Sequence, residues 1–354
     1  MTIQAYGYAT QLPQNPLKPF HFERRDPRPE DVVIDILYCG ICHSDIHAAR
    51  NEWGRTTYPF VPGHEIVGRI SAKGINVSKF EVGDLVGVGC MVDSCRVCDS
   101  CHSGVEQYCS SGFTGTWGST DKIGGTPHSY TFGGYSNKIT VDEQYVLRIP
   151  KNLNLAATAP LLCAGITMYS PLNHWGMGPG KKIGIIGLGG LGHIGVKLAS
   201  AMGAHVVAIT TTLEKAVEAR KLGAQEVLVS KNAGSIQKER EQFDFLINTI
   251  PVGHDMDPYI DLLKNDGTMV VVGAVEPLTR VNGALLIFRR RTIAGSLIGG
   301  IAETQKMLDF CGEHHITCDI ETIAMEEVNR AFDRTVKGDV RYRFVINMST
   351  LKSI

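Results

Sequence analysis

The chain lacks any run of about eighteen apolar residues, so no membrane-spanning helix is expected. It also lacks a basic start followed by an apolar stretch, and the opening MTIQAYGYATQLPQNP predicts no secretory signal. Charge of one sign is not in excess: 35 Lys and Arg stand against 36 Asp and Glu, a net charge of -1, and the basic residues are scattered. That balance argues against nucleic acid or an anionic membrane as partner. Internal repeats and low-complexity tracts are absent. What is present is the make-up of a soluble globular protein, 43% apolar and 20% charged. At 354 residues, two domains are expected. Ten cysteines without a predicted export signal point to a reducing compartment, where thiols serve metals or chemistry. A cytoplasmic location is expected.

The texture changes along the chain. The first 150 residues carry short β-like runs broken by Gly and Pro: DVVIDILYCGI, EIVGRISAKG, GDLVGVGCMV and YVLRIP. After a connector over 152–180, apolar strands (KIGIIG, HVVAIT, EVLVS, FDFLINTI, TMVVVGA) alternate with amphipathic helical stretches such as HIGVKLASAMG and LEKAVEARKLG. That alternation predicts an α/β fold with a doubly wound parallel sheet. Beyond Ile293, two helices (AETQKMLDFCGEH, MEEVNRAFDRTVKG) and a last strand (RYRFVIN) are expected.

Cys95, Cys98 and Cys101 are spaced by two residues each, and Cys109 follows in the same loop. Four thiolates from one short segment can close a tetrahedron at about 2.3 Å per Zn–S contact, leaving no open position, so the role is structural. Iron in place of zinc stays open.

Three further pieces suggest a second metal: GICHSDIH with Cys42, PGHEIVG with His64 and Glu65, and PLLCAGIT with Cys163. Each alone is weak, because a single Cys after a strand is commonly a small core residue. Together they offer two thiolates and an imidazole, with room for a fourth, exchangeable ligand. Ser44 and His47 follow Cys42; a turn residue and an ordinary exposed histidine are the alternatives.

Gly187, Leu188, Gly189, Gly190, Leu191 and Gly192 satisfy G-x-G-x-x-G between the strand KKIGII and a helix. In that context the pattern binds a dinucleotide pyrophosphate at the helix N-terminus. At the end of the next strand an NAD enzyme shows Asp or Glu for the ribose hydroxyls. This chain has Thr210, Thr211 and Thr212, then Leu213, Glu214 and Lys215. Hydroxyls and an ammonium suit a 2′-phosphate, which a carboxylate would repel. NADP(H) is the expected cofactor, with NAD the alternative that Glu214 keeps open.

GICHSDIH, VPGHEIVG, the four-cysteine loop, LLCAGIT and GLGGLG occur in the order found in zinc-containing medium-chain dehydrogenases. The chain most resembles the cinnamyl alcohol dehydrogenase branch, with its bacterial broad-specificity aldehyde reductases, down to the closing DVRYRFVI. The resemblance implies a mostly-β GroES-like catalytic domain (1–152 and 297–354) and a Rossmann cofactor domain (153–296). It implies two zinc ions per chain, the catalytic one on Cys42, His64 and Cys163, the Cys₂His set of which alcohol dehydrogenase is the standing example. Glu65 resembles the carboxylate that can approach that metal, and Asp45 the one that orients the ligand imidazole. Ser44 resembles the hydroxyl that passes the substrate proton, by way of the cofactor ribose, to His47. His43 is placed toward the cofactor phosphates. Thr167, Thr249, Gly273, Ser296, Leu297 and Ile298 sit where the family contacts nicotinamide and ribose.

The implied substrate is a small alcohol or aldehyde, the implied assembly a homodimer. Plant members carry a tryptophan five residues past the last loop cysteine; Thr114 stands there, and Trp117 lies out of register. That departure favours a broad range of aldehydes over lignin precursors. Trp53 is either a wall of the substrate cleft or core. Cys39, Cys90, Cys311 and Cys318 are expected in core packing.

Overall fold

The structure is a computed structural model, and it describes residues 2–122, 128–273, 276–278 and 281–353. The chain divides into two compact units, Met1–Cys163 with Gly299–Ile354, and Ala164–Ile298.

In the first unit, Asp31–Gly40 is the central strand. It pairs antiparallel with Ile66–Lys73, Lys138–Asp142 and Arg343–Asn347. Val32, Ile34, Ile66 and Ile70 lie at 1% exposure or less, so the sheet wraps its own apolar core. The register carries the chemistry. Cys39 pairs with Ile66, so the end of one strand and the start of the other meet, three residues before Cys42 in one case and just after His64 and Glu65 in the other. Arg343–Asn347 lies on the opposite edge, with Val345 across from Gly40. The short helices Leu155–Thr158 and Ala159–Leu162 pack on these strands and deliver Cys163 to the same place. Gly87 and Gly89 make room for them: a Cβ on Gly89 would lie 2.9 Å from the Leu162 carbonyl oxygen. That packing is why the first unit extends to Cys163.

The second unit is a six-stranded, all-parallel sheet in the order Glu226–Val229, His205–Thr210, Lys182–Ile186, Phe243–Asn248, Leu263–Val271, Thr292–Gly295. In chain order this is 3-2-1-4-5-6, the doubly wound topology. Its strands are nearly continuous apolar runs, Ile183, Ile185, Val206 and Phe245 being at most 1% exposed, because helices cover both faces. The outermost strand, TIAG, is not anticipated by the hydrophobic pattern; four residues with no bulky run carry almost no periodic signal. The expected helices near the C-terminus are Ile301–Glu313 and Val328–Val336. Among the described residues no single helix is long and apolar enough to cross a membrane.

Candidate active site

Cys42, His64, Glu65 and Cys163 converge: one ligand atom from each lies within 4.8 Å of all the others. The two sulfurs are 4.0 Å apart; two sulfurs about 2.3 Å from one tetrahedral ion would be separated by about 3.8 Å. The thiol of Cys42 is held well below its ordinary pKa by the hydrogen bond from Cys163, and His64 and Arg343 act in the same direction. Thiolate character of that kind suits a metal ligand.

The imidazole of His64 is oriented from behind. Its Nδ1 donates to Asp45 Oδ1 at 2.9 Å, which leaves Nε2 free to face the cluster. Asp45 is fully buried and accepts further bonds from the backbone N–H of Gly63 (2.8 Å) and Cys42 (3.0 Å). The latter closes the first turn of the helix His43–Ala49, so the cap that starts the helix also fixes the metal-facing Cys.

Glu65 is also fully buried. Its Oε1 accepts from Arg343 Nη2 at 2.5 Å, while Oε2 has no partner. Burial pushes its carboxyl up to about 8, against the pull of the Arg343 guanidinium. A bare oxygen inside a four-donor cluster fits a carboxylate that can turn toward a cation. Only glycine leaves it space, because a Cβ on Gly40 would fall 1.9 Å from Oε2.

Ser44 and His47 lie three apart on the same helix, so they share a face. His47 Nδ1 pairs with the Glu52 carboxylate, and its Nε2 has no protein partner. His43 is exposed.

The four loop cysteines, Cys95, Cys98, Cys101 and Cys109, form a second cluster within the same 4.8 Å limit. Cys101 Sγ lies 3.9 Å from Cys95 and 3.5 Å from Cys98. Backbone N–H groups point at the sulfurs, as from Cys95 to Cys109 at 3.4 Å. Backbone and side-chain donors from Ser110 and Cys101 bring the thiol of Cys98 down to about 5.

In the second unit, the residues expected to touch the dinucleotide, Thr167 apart, lie at or just past the carboxyl ends of strands in the parallel sheet. The glycine turn follows Lys182–Ile186, the threonines close His205–Thr210, and Thr249, Gly273 and Ser296–Ile298 follow the fourth, fifth and sixth strands. The first and fourth strands are neighbours, so the strand order reverses there, where ligands of such sheets bind. Gly187 has φ +93°, and a Cβ on Gly192 would lie 1.8 Å from the Gly187 carbonyl oxygen. A Cβ on Gly189 would meet nothing, which is the open side a pyrophosphate needs. Thr211 is exposed and Thr212 half-buried, whereas Thr210 is buried in the strand. Lys215 Nζ lies 3.4 Å from the Leu188 carbonyl, which puts its charge at the glycine turn. Thr249 Oγ1 is turned inward, donating to Ile186 O at 2.7 Å, and ties the two strands together. Thr167 is buried in the helix Ala164–His174.

Comparison with known proteins agrees with this geometry. Residues 28–151 match the alcohol dehydrogenase GroES-like domain and residues 190–313 the zinc-binding dehydrogenase domain. The aldehyde reductase YahK of Escherichia coli is 54% identical, with 99% of each chain covered. The chain belongs to the zinc-binding alcohol dehydrogenases. The NADP-dependent alcohol dehydrogenase C 1 of Mycolicibacterium smegmatis is 50% identical over 98% of this chain and 99% of its own. Among solved structures, a cinnamyl alcohol dehydrogenase of Sorghum bicolor superposes with TM-score 0.95 at 44% identity, 99% of each chain covered. The CAD of Helicobacter pylori, solved with NADP(H), gives 0.92 at 41%, covering 100% of both.

Two features of this dehydrogenase lie outside the sequence reading. Arg343 is a buried cation behind Glu65, and a lone Arg in an apolar strand is the signal that could have found it. Trp117, set aside there as out of register, stands on the site: its ring lies edge-on to His64, with centroids 5.7 Å apart, and stacks on Trp53 at 6.5 Å. Trp53 is half-buried, not core. Cys39, Cys311 and Cys318 are core residues, whereas Cys90 is half-buried with its thiol toward the Leu162 carbonyl, beside the site.

Proposed function

We propose that this dehydrogenase is a zinc-dependent oxidoreductase that moves hydride between NADP(H) and an alcohol/aldehyde pair, as a broad-specificity aldehyde reductase. The carrying observation is the convergence of Cys42, His64, Glu65 and Cys163. When bound, zinc supplies Lewis acidity toward the substrate oxygen and the nicotinamide supplies or receives the hydride. Cys42, His64 and Cys163 hold the ion, Glu65 is the carboxylate that can turn to it, and Asp45 keeps the imidazole in one tautomer. Ser44 takes the hydroxyl proton of an alcohol substrate, and the buried, unpartnered Nε2 of His47 is the acceptor at the far end of that path. Cys95, Cys98, Cys101 and Cys109 hold the structural ion.

The turn Gly187–Gly192 binds the pyrophosphate. Thr211, Thr212 and Lys215 receive the 2′-phosphate, beside Thr210, which is buried in the strand. Thr167, Thr249, Gly273, Ser296, Leu297 and Ile298 frame nicotinamide and ribose. The NADP-dependent relatives and the NADP(H)-bound structure support that reading. A homodimer is supported by the edge strand Thr292–Gly295 next to Ile287 and Phe288, which are 78% and 80% exposed. A monomer mass in sedimentation would count against it. None of the ten cysteines is in a disulfide, and nine of them lie in the metal sets or are buried, which supports a cytoplasmic location.

The test is an aldehyde panel with both cofactors. The expected result is turnover of several aromatic and aliphatic aldehydes with NADPH and little with NADH. Preference for NADH would move the reading to an NAD-dependent alcohol or polyol dehydrogenase.

A further inference from the structure

Trp117 follows the short strand Thr114–Gly115, which pairs with Met91–Asp93. The segment around it is pinned on both sides. Gly115 N–H donates to Ser119 Oγ at 2.8 Å, Gly118 N–H to the Thr131 carbonyl at 2.8 Å, and Thr116 Oγ1 to the Gly89 carbonyl at 2.5 Å. Phe60, 1% exposed, packs edge-on against the indole at 5.3 Å. A tryptophan so fixed has no freedom to choose another partner for its single N–H.

That N–H points at the support of the metal ligand. Trp117 Nε1 lies 2.9 Å from Asp45 Oδ1 and 2.9 Å from His64 Nδ1. His64 Nδ1 is itself committed as a donor to Asp45, so it cannot accept, and the carboxylate is the acceptor. Asp45 is fully buried, and donors surround its side chain: Trp117, His64 and Gly63 on Oδ1, Cys42 N–H and the more distant Tyr135 hydroxyl (3.4 Å) on Oδ2. The indole therefore acts on His64 twice, through the carboxylate that both share and through the ring edge that limits its tilt.

We propose that Trp117 is a positioning residue of the metal site, whose indole N–H holds Asp45 and so fixes the orientation of His64. The role rests on the zinc reading of Cys42, His64 and Cys163. Loss of an outer hydrogen bond to a ligating histidine costs about 10- to 100-fold in metal affinity. Trp117→Phe keeps a ring for Phe60 and Trp53 to pack on and removes only the donor.

The experiment uses purified, zinc-loaded wild type, Trp117→Phe, Trp117→His, Asp45→Asn and the Trp117→Phe/Asp45→Asn double variant. Zinc release to a chromogenic chelator is followed, together with the visible spectrum of the cobalt(II)-exchanged proteins. Expected are two zinc ions per wild-type chain, release of one of them about tenfold faster in Trp117→Phe, a shifted cobalt spectrum, and partial recovery in Trp117→His, which restores a ring N–H. In the Asp45→Asn background, Trp117→Phe adds nothing, because the path runs through that carboxylate.

Release that is unchanged or slower in Trp117→Phe with the wild-type cobalt spectrum overturns the positioning role, as does a full-sized effect in the Asp45→Asn background. Wild type without a second zinc overturns the metal reading and this role with it. If Trp117→Phe does not fold, indole N–H resonances decide. The chain has three tryptophans, and one of three signals moves on Asp45→Asn; three unmoved signals overturn the role.

Discussion

At the scale of single residues, the cofactor choice rests on what stands where an NAD enzyme has a carboxylate. Thr211 is exposed there, and Lys215 puts its ammonium at the carbonyl of Leu188 in the glycine turn. Placing a negative charge at Thr211 sets it against the doubly charged 2′-phosphate. Thr211→Asp is expected to lower the NADPH/NADH ratio of kcat/KM about tenfold or more, the equivalent of about 1.4 kcal/mol. An unchanged ratio would mean that the phosphate is read elsewhere. These side chains were legible in the sequence because the position of the second strand fixes where to look. Trp117 was not, since an indole three residues from a family position reaches a buried carboxylate only through a turn that no pattern reports. The same holds for Arg343, whose partner Glu65 lies 278 residues away in sequence.

At the scale of elements, the cluster of Cys42, His64, Glu65 and Cys163 is a product of strand register. The end of Asp31–Gly40 and the start of Ile66–Lys73 are neighbours, so the Cys after one and the His-Glu before the other must meet. The start of that central strand is tied down by Asp31. Its carboxylate takes two bonds from Arg25, one at 2.8 Å, and a 2.6 Å bond from the backbone N–H of Arg28. Burial alone would raise the carboxyl of Asp31, but the bonds and charge of Arg25 and Arg28 override it and leave it below the ordinary value.

A carboxyl depressed in the folded state contributes stability that is complete above its unfolded pKa, about 3.9, and is lost as pH falls through the folded value. Asp31→Asn leaves Arg25 buried without its counter-charge and is expected to cost about 3 kcal/mol at neutral pH. In denaturant unfolding, the gap between wild type and variant is expected to hold above about pH 5 and to narrow below about pH 4. A gap that stays constant to about pH 2 would contradict the assignment. Long, strongly apolar strands such as Lys182–Ile186 and Phe243–Asn248 were legible. Thr292–Gly295 was not, because a four-residue edge strand without a bulky run gains its identity only from the neighbour it pairs with.

At the scale of the whole molecule, we assign metal chemistry to one unit and dinucleotide binding to the other. Both assignments were readable because each leans on residues that fit little else: clustered thiols in the first, a strand–glycine–helix passage in the second. The central claim is that Cys42, His64 and Cys163 hold a zinc ion distinct from the one on the four-cysteine loop. The most direct measurement is zinc per chain, with turnover, in wild type and Cys163→Ala. Expected are two ions falling to one, retained fold, and turnover reduced about a hundredfold or more. Two ions and undiminished turnover in Cys163→Ala would contradict it.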